Sequence, residues 1–225
     1  MVKGAKKAKK NYKRKTPPKA SKAVICYSPN VCPDVMRVTL SYNSRKQAAG
    51  GGISAIQDFV FRGNGAFDPD AAAGGQQPLG FDQWSAFYRR YRVIGSKVTI
   101  EGVANSAISA GIGIVPIHTN TLYTNRDEAA EAAYEKSVIV GQANSTNYAK
   151  LTHSMTTAVM RGAPVNLTRY EEDYNALISA NPTKEWYWHT YAYGIGGSGL
   201  SFTVDLEVKV EYDIEFYDRQ TLVRS

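Results

Sequence analysis

Ten positively charged side chains lie within the first 22 residues, and no acidic side chain lies among them. A lysine ammonium group attracts phosphate as a compact point charge, without the paired hydrogen bonds by which arginine reads a base edge. The segment therefore predicts binding to a polyanion such as nucleic acid, with strong salt dependence and little sequence preference. The predicted nucleic-acid-binding residues are Lys3, Lys6, Lys7, Lys9, Lys10, Lys13, Arg14, Lys15, Lys19 and Lys22.

The same composition is also typical of a solubilising tail or of a nuclear-localisation signal. The clusters at residues 6–10 (KKAKK) and 13–15 (KRK) fit such a signal. Recognition by the host import machinery would add to nucleic-acid binding rather than replace it. Repulsion between like charges, few apolar residues and the pair Pro17-Pro18 predict a disordered basic arm over residues 1–33 until an anion binds.

The rest of the chain has the opposite charge. Of the 27 basic residues, 17 lie beyond the arm, and they face 20 acidic residues, so the net charge there is −3. All of the chain's formal excess of +7 is therefore in the arm. This distribution predicts a polycationic arm attached to a mildly acidic folded domain, residues 34–225, whose length suits one well-packed core.

The folded domain carries no recognisable catalytic motif. His118, His153 and His189 lie on different predicted strands, and no nucleophile elbow, phosphate-binding loop or zinc-protease helix is present. Asp68 and Asp70 are oxygen donors of the kind calcium prefers, but two carboxylates are too few for a site, and Asp side chains commonly cap their own turn. The chain is therefore predicted to be no enzyme and to hold no metal or cofactor.

The cysteines and the apolar segments bear on the compartment. Cys26 and Cys32 have no neighbouring histidine that would complete a zinc site, so free thiols in a reducing compartment are expected. No apolar leader opens the sequence, so export by the usual route is not expected. The most apolar run, Val103–Ile117, is interrupted by polar residues and is too short to cross a bilayer.

The frame of the folded domain is the segment Phe202–Phe216, in which apolar and mostly charged residues alternate without interruption. Alternation with period two predicts one long strand with an apolar and a polar face, which needs a sheet around it. In a third strand, Ile94 is predicted to share a face with Ser96, Val98, Ile100 and Gly102. The predicted strands are residues 35–42, 53–61, 91–103, 108–118, 137–141, 150–160, 185–195 and 202–216.

Between these strands lie long connections and two predicted surface helices, residues 126–136 and 169–180, with a third short candidate at 81–90 that Asp82 would cap. A polar, glycine-rich turn is predicted at Asn43–Gly52. Eight antiparallel strands in two packed sheets form a jelly roll. The predicted fold class is therefore all-β: a single eight-stranded jelly-roll sandwich with long loops, two short helices and a disordered basic N-terminal arm.

In the block Phe61–Glu101, the segments RGN (62–64), FDPD (67–70) and QPLGFDQ (77–83) stand out. In these segments the block resembles the capsid proteins of circular, Rep-encoding single-stranded DNA viruses, the circovirus-like group. In that family the block joins the second strand to the third, which is where the predicted strands place it here, and the last strand, residues 208–216, is also similar. The pieces that carry the resemblance are Arg62-Gly63-Asn64, Phe67-Asp68-Pro69-Asp70, Gln77-Pro78-Leu79-Gly80-Phe81-Asp82-Gln83, Tyr88 and Tyr91 to Lys97. Within the block, Gln77, Pro78, Phe81 and Trp84 are expected to pack a loop against the sandwich rather than to bind a ligand.

The resemblance implies a virion protein that assembles into a small icosahedral (T=1) shell of about sixty copies, with the arm inside on the genome. Ten arm charges per copy would bring roughly 600 positive charges to the packaged phosphates. It also implies single-stranded DNA as the genome and the host nucleus as the place of assembly.

Three other interpretations remain open from the sequence. Small RNA viruses also combine a jelly roll with a basic arm. A monomeric cellular nucleic-acid-binding module would need a basic face on the folded domain, whose net charge is instead negative. An enzyme or lectin on a jelly roll would need a convergent polar or metal site, which the scattered histidines do not suggest.

Overall fold

The computed structural model describes residues 32–51, 56–72, 76–121, 123–196 and 200–221. Residues 1–31, which make up nearly all of the predicted arm, lie outside the described residues. In the described ranges, no helix is both long enough and apolar enough to cross a membrane.

Strands dominate the described residues, and the helices are short. The strands are β1 (Val35–Gly51), β2 (Ile56–Arg62), β3 (Tyr88–Ala104), β4 (Ser109–Ile117), β5 (Lys136–Val140), β6 (Tyr148–Thr156), β7 (Asn175–Leu177), β8 (Tyr187–Ile195) and β9 (Ser201–Arg219). The helices are α1 (Phe81–Ser85), α2 (Arg126–Glu131), α3 (Thr157–Arg161) and α4 (Val165–Tyr170), followed by a 3₁₀ turn at Glu172–Tyr174.

The strands form two antiparallel sheets that pack face to face. The first sheet has the order β1-β9-β3-β6, with the three-residue β7 added to β3, and the second has the order β2-β8-β4-β5. Along the chain, the eight longer strands alternate between the two sheets, except that β4 and β5 lie in the same sheet. This alternation is the winding of a jelly roll. The predicted all-β jelly-roll sandwich is confirmed, with β7 as a short addition, whereas the described residues form four short helices instead of the predicted two. The predicted arm lies almost entirely outside the described residues, so its disorder stays a prediction.

The alternation predicted in the last strand is observed along β9. Its even-numbered residues from Phe202 to Phe216 are all buried, and they face the aromatic residues of the second sheet across the core. Burying each such apolar side chain contributes about 1.5–3 kcal/mol, so this one strand carries a large share of the hydrophobic stabilisation. The largest fully buried side chains include Phe61, Phe81, Tyr88, Tyr91, Trp186, Trp188, Tyr191 and Tyr212.

The first strand is longer than the sequence predicts. The predicted turn at Asn43–Gly52 is wrong, because β1 continues to Gly51 and pairs with β9 over its whole length, from Val35 opposite Tyr217 to Gly51 opposite Ser201. The polar and glycine residues there weaken the local strand signal. The partner strand supplies the hydrogen bonds that hold them extended.

Two helix predictions need correction. The predicted helix at 169–180 is wrong: α4 ends at Tyr170, and residues 175–177 form β7, which pairs with β3 at Arg90–Arg92. Tertiary pairing with an existing sheet edge overrides the local helical preference. The predicted cap of α1 is also wrong, since the N-cap is Gly80 with φ of 95°, a left-handed conformation that glycine adopts without strain, and Asp82 lies in the first turn.

The remaining elements differ mainly at their ends. Helix α2 occupies the first half of the predicted segment 126–136 and is capped by Asn125, whose side chain accepts a hydrogen bond from the Glu128 amide at 2.9 Å. The predicted strand 150–160 ends at Thr156, where α3 begins. In β3 the register shifts between Val93 and Gly95, so Ile94 lies in a bulge and does not share the buried face of Ser96, Val98 and Ile100 as predicted.

Candidate functional site

The described chain begins close to the starts of β1 and β3 and the end of β9. The Tyr88 hydroxyl donates to the Pro33 carbonyl at 2.8 Å, and Arg219 pairs with Asp34 at 2.8 Å. These contacts fix where the chain enters the sandwich. The ten arm residues predicted to bind nucleic acid, Lys3 to Lys22, lie outside the described residues, so their role stays a prediction.

The outer face of the first sheet is covered by paired charges. Lys97 and Lys209 both contact Glu211, at 2.5 and 3.1 Å, and Lys150 contacts Glu101 at 2.5 Å. The hydrogen bond from Lys97 is the main reason why the pKa of Glu211 lies below its ordinary value. Exposed pairs of this kind contribute about 0–1 kcal/mol each, and their cations are largely compensated by carboxylates.

Two arginines share one buried carboxylate at the end of this face. Arg92 donates through Nε to the Glu215 carboxylate at 2.7 Å, and Arg169 donates to the other oxygen of the same group, whose side chain is only 5% exposed. Burial acts to raise the pKa of Glu215, but the hydrogen bonds from Arg169 and Arg92 outweigh it and the pKa is lowered. Glu215 therefore stays ionised and joins α4 to β3 and β9.

The other two arginines of the Tyr88–Arg92 segment have different surroundings. Arg90 pairs with Glu172 at 3.0 Å, whereas Arg89 is exposed and forms no ion pair with another described residue. For Arg90 and Arg92 the contacts are those of a salt-bridged face.

Arg62 organises the connection between β2 and α1. Its guanidinium contacts the Asp68 carboxylate at 2.9 Å, the Asp68 carbonyl at 2.8 Å and the Glu185 carboxylate at 2.9 Å. In addition, the Tyr212 hydroxyl donates to the Arg62 carbonyl at 2.6 Å, which ties β9 to the same point. Complete burial raises the pKa of Tyr212 well above its ordinary value, so this hydroxyl remains a donor.

Asn64 joins the same loop to the segment around Trp186 by two side-chain hydrogen bonds. Its amide donates to the Lys184 carbonyl at 2.8 Å and its carbonyl accepts from the Trp186 amide at 3.0 Å, so one side chain satisfies two backbone groups of the facing loop. Asn64 is completely buried. A buried amide with both ends bonded positions the loop without leaving a polar group free for a ligand.

The aromatic residues of the block pack as predicted. The Phe81 ring meets the Tyr91 ring edge-on, with centroids 5.1 Å apart, and the Trp84 ring stacks on Phe216 at 6.3 Å. Pro78 is buried, and its carbonyl accepts from the Phe81 amide at 3.0 Å. The block therefore closes one end of the sandwich by packing.

Asp68 and Asp70, considered above as calcium donors, both face cations of the chain itself. Asp68 contacts Arg62, and Asp70 contacts Lys46 at 2.6 Å. The Lys46 ammonium also lies over the rings of Phe59 and Phe61, 5.8 Å from each centroid. In the described ranges, no group of three or more His, Cys, Asp or Glu side chains is placed to hold a metal ion.

Two of the three histidines, His153 and His189, have defined contacts within the sandwich, whereas His118 is exposed at the end of β4. His189 is completely buried, with Nδ1 at 2.9 Å from the Asp58 carboxylate and Nε2 at 2.9 Å from the Thr119 carbonyl. His153 lies on the Trp188 ring, with Nε2 at 2.7 Å from the Tyr134 carbonyl, and burial lowers its pKa. These contacts fix loops to the sandwich rather than form a catalytic or metal-binding constellation.

Sequence reasoning did not find the Asp58–His189 pair. The two residues are 131 positions apart, and only the register of β2 on β8, with Val60 opposite His189, brings them to the same face. The same is true of Glu215 and its two arginines. The signal in both cases was a charged or polar residue on a strand, which by itself does not identify a partner.

Several solved structures of virus proteins match this chain. The 60-mer BFDV capsid protein matches with a TM-score of 0.46 and 11% identity, covering 86% of this chain and 100% of that one. A chain of Desmodium yellow mottle tymovirus matches at 0.41 and 12%, covering 100% of both, and a chain of rhinovirus-B5 at 0.44 and 10%, covering 100% and 98%. No family model and no curated protein matches the sequence. The fold assignment therefore rests on the strand order itself.

Proposed function

We propose that this chain is a viral coat protein that assembles with copies of itself into a shell and holds the genome through its basic arm. The observation that carries the proposal is the separation of charge. All ten cations of the arm precede a folded jelly roll whose own net charge is −3. An arm of this composition neutralises phosphate by counterion release, while an acidic body adds no second non-specific binding surface.

The internal contacts of the sandwich support a structural role. Polar side chains in and beside the connection between β2 and α1, such as Arg62, Asn64 and Asp70, join loops to the core. On the outer face of the first sheet, most cations are paired with carboxylates. Binding of a genome is then left to the arm, and contacts between copies to the loops and helices that surround the sheets.

The finer assignment is a shell of about sixty copies around single-stranded DNA, assembled in the host nucleus. It rests on the resemblance of the block Phe61–Glu101 to circovirus-like capsid proteins and on the lysine clusters typical of nuclear import. A lysine-rich arm predicts no preference for base sequence. Each phosphate that it neutralises on a single strand should contribute about 0.7 to the slope of log affinity against log salt concentration.

The test is to isolate particles of the full-length protein and to digest their contents. Light scattering should find particles far heavier than the 24.7 kDa chain, with an absorbance ratio at 260 and 280 nm typical of nucleic acid. Nucleic acid released from such particles should be degraded by a nuclease specific for single-stranded DNA. Degradation by ribonuclease alone would replace the DNA genome with RNA and leave the coat function intact. A monomer at every protein and salt concentration would contradict the coat function.

A further inference from the structure

Several apolar side chains are exposed together on α3, α4 and β7. Helix α3 packs on α4, and α4 packs on β7, so the three short elements form one surface. Tyr170 is 79% exposed, and four aliphatic residues beside it are between 43% and 54% exposed: Val159, Val165, Leu167 and Leu177. We call these five residues the α4 surface. Exposed apolar groups on neighbouring elements are typical of contacts with another macromolecule.

Beside the α4 surface, Arg89 is an exposed arginine that forms no ion pair with another described residue. Glu172 is paired with Arg90, and Asp173 is paired with Lys184. Arg89, whose carbonyl accepts from the Ile178 amide next to Leu177, is exposed and has no acidic partner among the described residues. Tyrosine and arginine are the side chains that most often dominate binding at protein interfaces. The α4 surface therefore combines an apolar centre with an available positive charge.

A second apolar surface lies on the other sheet, around α2. Ile139 is 64% exposed and Tyr134 is 57% exposed. Three exposed acids lie on the neighbouring helix, and none forms an ion pair with another described residue: Asp127, Glu128 and Glu131. We call these five residues the α2 surface. It combines exposed apolar groups with unpaired negative charge.

One chain cannot bring these two surfaces together. Helix α2 lies on the outer face of the second sheet, where Ala129 packs with the rings of Tyr191 and Tyr193. The α4 surface is joined to the first sheet, through Arg169 on Glu215 and through β7 on β3. The Tyr134 carbonyl of the α2 surface reaches His153 of β6 at 2.7 Å, but α2 itself lies over the second sheet and α4 over the first, so contact between Ile139 and Tyr170 requires two copies.

We propose that the α4 surface of one copy binds the α2 surface of a second copy of this chain. Each supplies exposed apolar side chains, and the unpaired acids of one complement the unpaired Arg89 of the other. Such a contact joins two different patches and is heterologous, so repetition extends the assembly until the rotation closes it. The inference rests on the proposed coat function and specifies one of the contacts between copies that such a shell needs.

The test is cross-linking between two single-cysteine forms of the full-length protein. Cys26 and Cys32 are first replaced by serine, and one preparation then carries Tyr170→Cys and the other Ile139→Cys. The two are mixed, assembled and treated with a short bismaleimide. The matched control replaces Tyr170→Cys by Leu79→Cys, whose side chain is 91% exposed but belongs to neither surface.

The proposal predicts a covalent dimer in the mixed sample at a yield about tenfold above the control mixture, because contact raises the effective concentration of the two thiols. Each single-cysteine preparation alone should stay near the control level. Particles that form without this cross-link would overturn the α4–α2 contact and leave the coat function standing. Monomers under all conditions, in the parent protein as well, would overturn both.

Discussion

Trp186 lies directly against the backbone of Gly63. A Cβ atom built on Gly63 would be 2.3 Å from Cε3 of the indole ring, so any larger residue at this position collides with the core. The Gly63 carbonyl also accepts from the Ser96 hydroxyl at 2.6 Å, and Ser96 accepts from the Trp188 indole at 2.8 Å. Gly63 thus joins the loop that follows β2 to both core tryptophans, Trp186 directly and Trp188 through Ser96.

Gly63→Ala should therefore destabilise the folded domain by about 1–3 kcal/mol, the usual cost of overpacking a core. Denaturant unfolding followed by tryptophan fluorescence measures the change. The matched control is Gly51→Ala, where the added Cβ has only an ordinary contact, 3.7 Å from the Ser201 hydroxyl, and a change within about 0.5 kcal/mol is expected. Equal stability of the parent and the Gly63→Ala protein would show that the indole does not hold this position.

Glu215→Gln should destabilise the domain through its two arginines. The substitution leaves Arg92 and Arg169 facing a neutral amide, and we expect a loss of about 2–3 kcal/mol, less than for a fully buried pair because Arg169 is 36% exposed. Chemical denaturation at pH 7 measures it. Glu207→Gln, an exposed acid on the same strand, should change stability little. If both substitutions have the same small effect, Glu215 does not join α4 to the sheet.

Buried tyrosines predict loss of stability at high pH. Burial raises the pKa of Tyr88 and Tyr187 to about 12 from the ordinary value of 10.0, and it raises the pKa of Tyr91 and Tyr212 as well. Above pH 10 the unfolded chain releases these protons while the folded chain keeps them, so the free energy of unfolding falls as the pH rises towards the folded-state pKa values.

Unfolding midpoints at pH 8, 9, 10 and 11 test this. Little change is expected between pH 8 and 9, and each buried tyrosine should cost about 1.4 kcal/mol per pH unit above its unfolded-state pKa. Tyr91→Phe removes one of these hydroxyl groups, so the free energy of unfolding should fall less steeply above pH 10, by the share of one tyrosine. The substitution also removes the 3.0 Å hydrogen bond to the Ala180 carbonyl. A stability that is unchanged up to pH 11 would contradict the burial of these hydroxyl groups.

The sequence predicted the fold well where local pattern and burial agree. The alternation of Phe202–Phe216 identified β9, because period two is fixed by the geometry of an extended chain. The number of predicted strands indicated two packed sheets but not the order of the strands within them. The predictions were wrong where pairing with a distant strand determines the local structure. The polar residues 43–51 are extended because β9 pairs with them, and residues 175–177 form a strand because the edge of β3 accepts them.

The candidate site was predictable only in outline. The resemblance of the block Phe61–Glu101 placed the right loop in the right connection, and its interpretation as packing is confirmed by Phe81 and Trp84. Which side chains meet was not predictable. Arg62 contacts Glu185, which is 123 positions away in the sequence, and Asn64 bonds to the Trp186 amide, 122 positions away. Only the register of the paired strands brings these residues together.

The most direct test of the central claim compares the full-length protein with a form that lacks residues 1–22, by light scattering and absorbance at 260 and 280 nm after assembly in the presence of nucleic acid. The proposed coat function predicts heavy, nucleic-acid-rich particles for the full-length protein. For the shortened form it predicts a folded domain with the same β-sheet circular dichroism that no longer retains nucleic acid. Retention of nucleic acid at the full-length level by the shortened form would contradict the claim that the arm holds the genome.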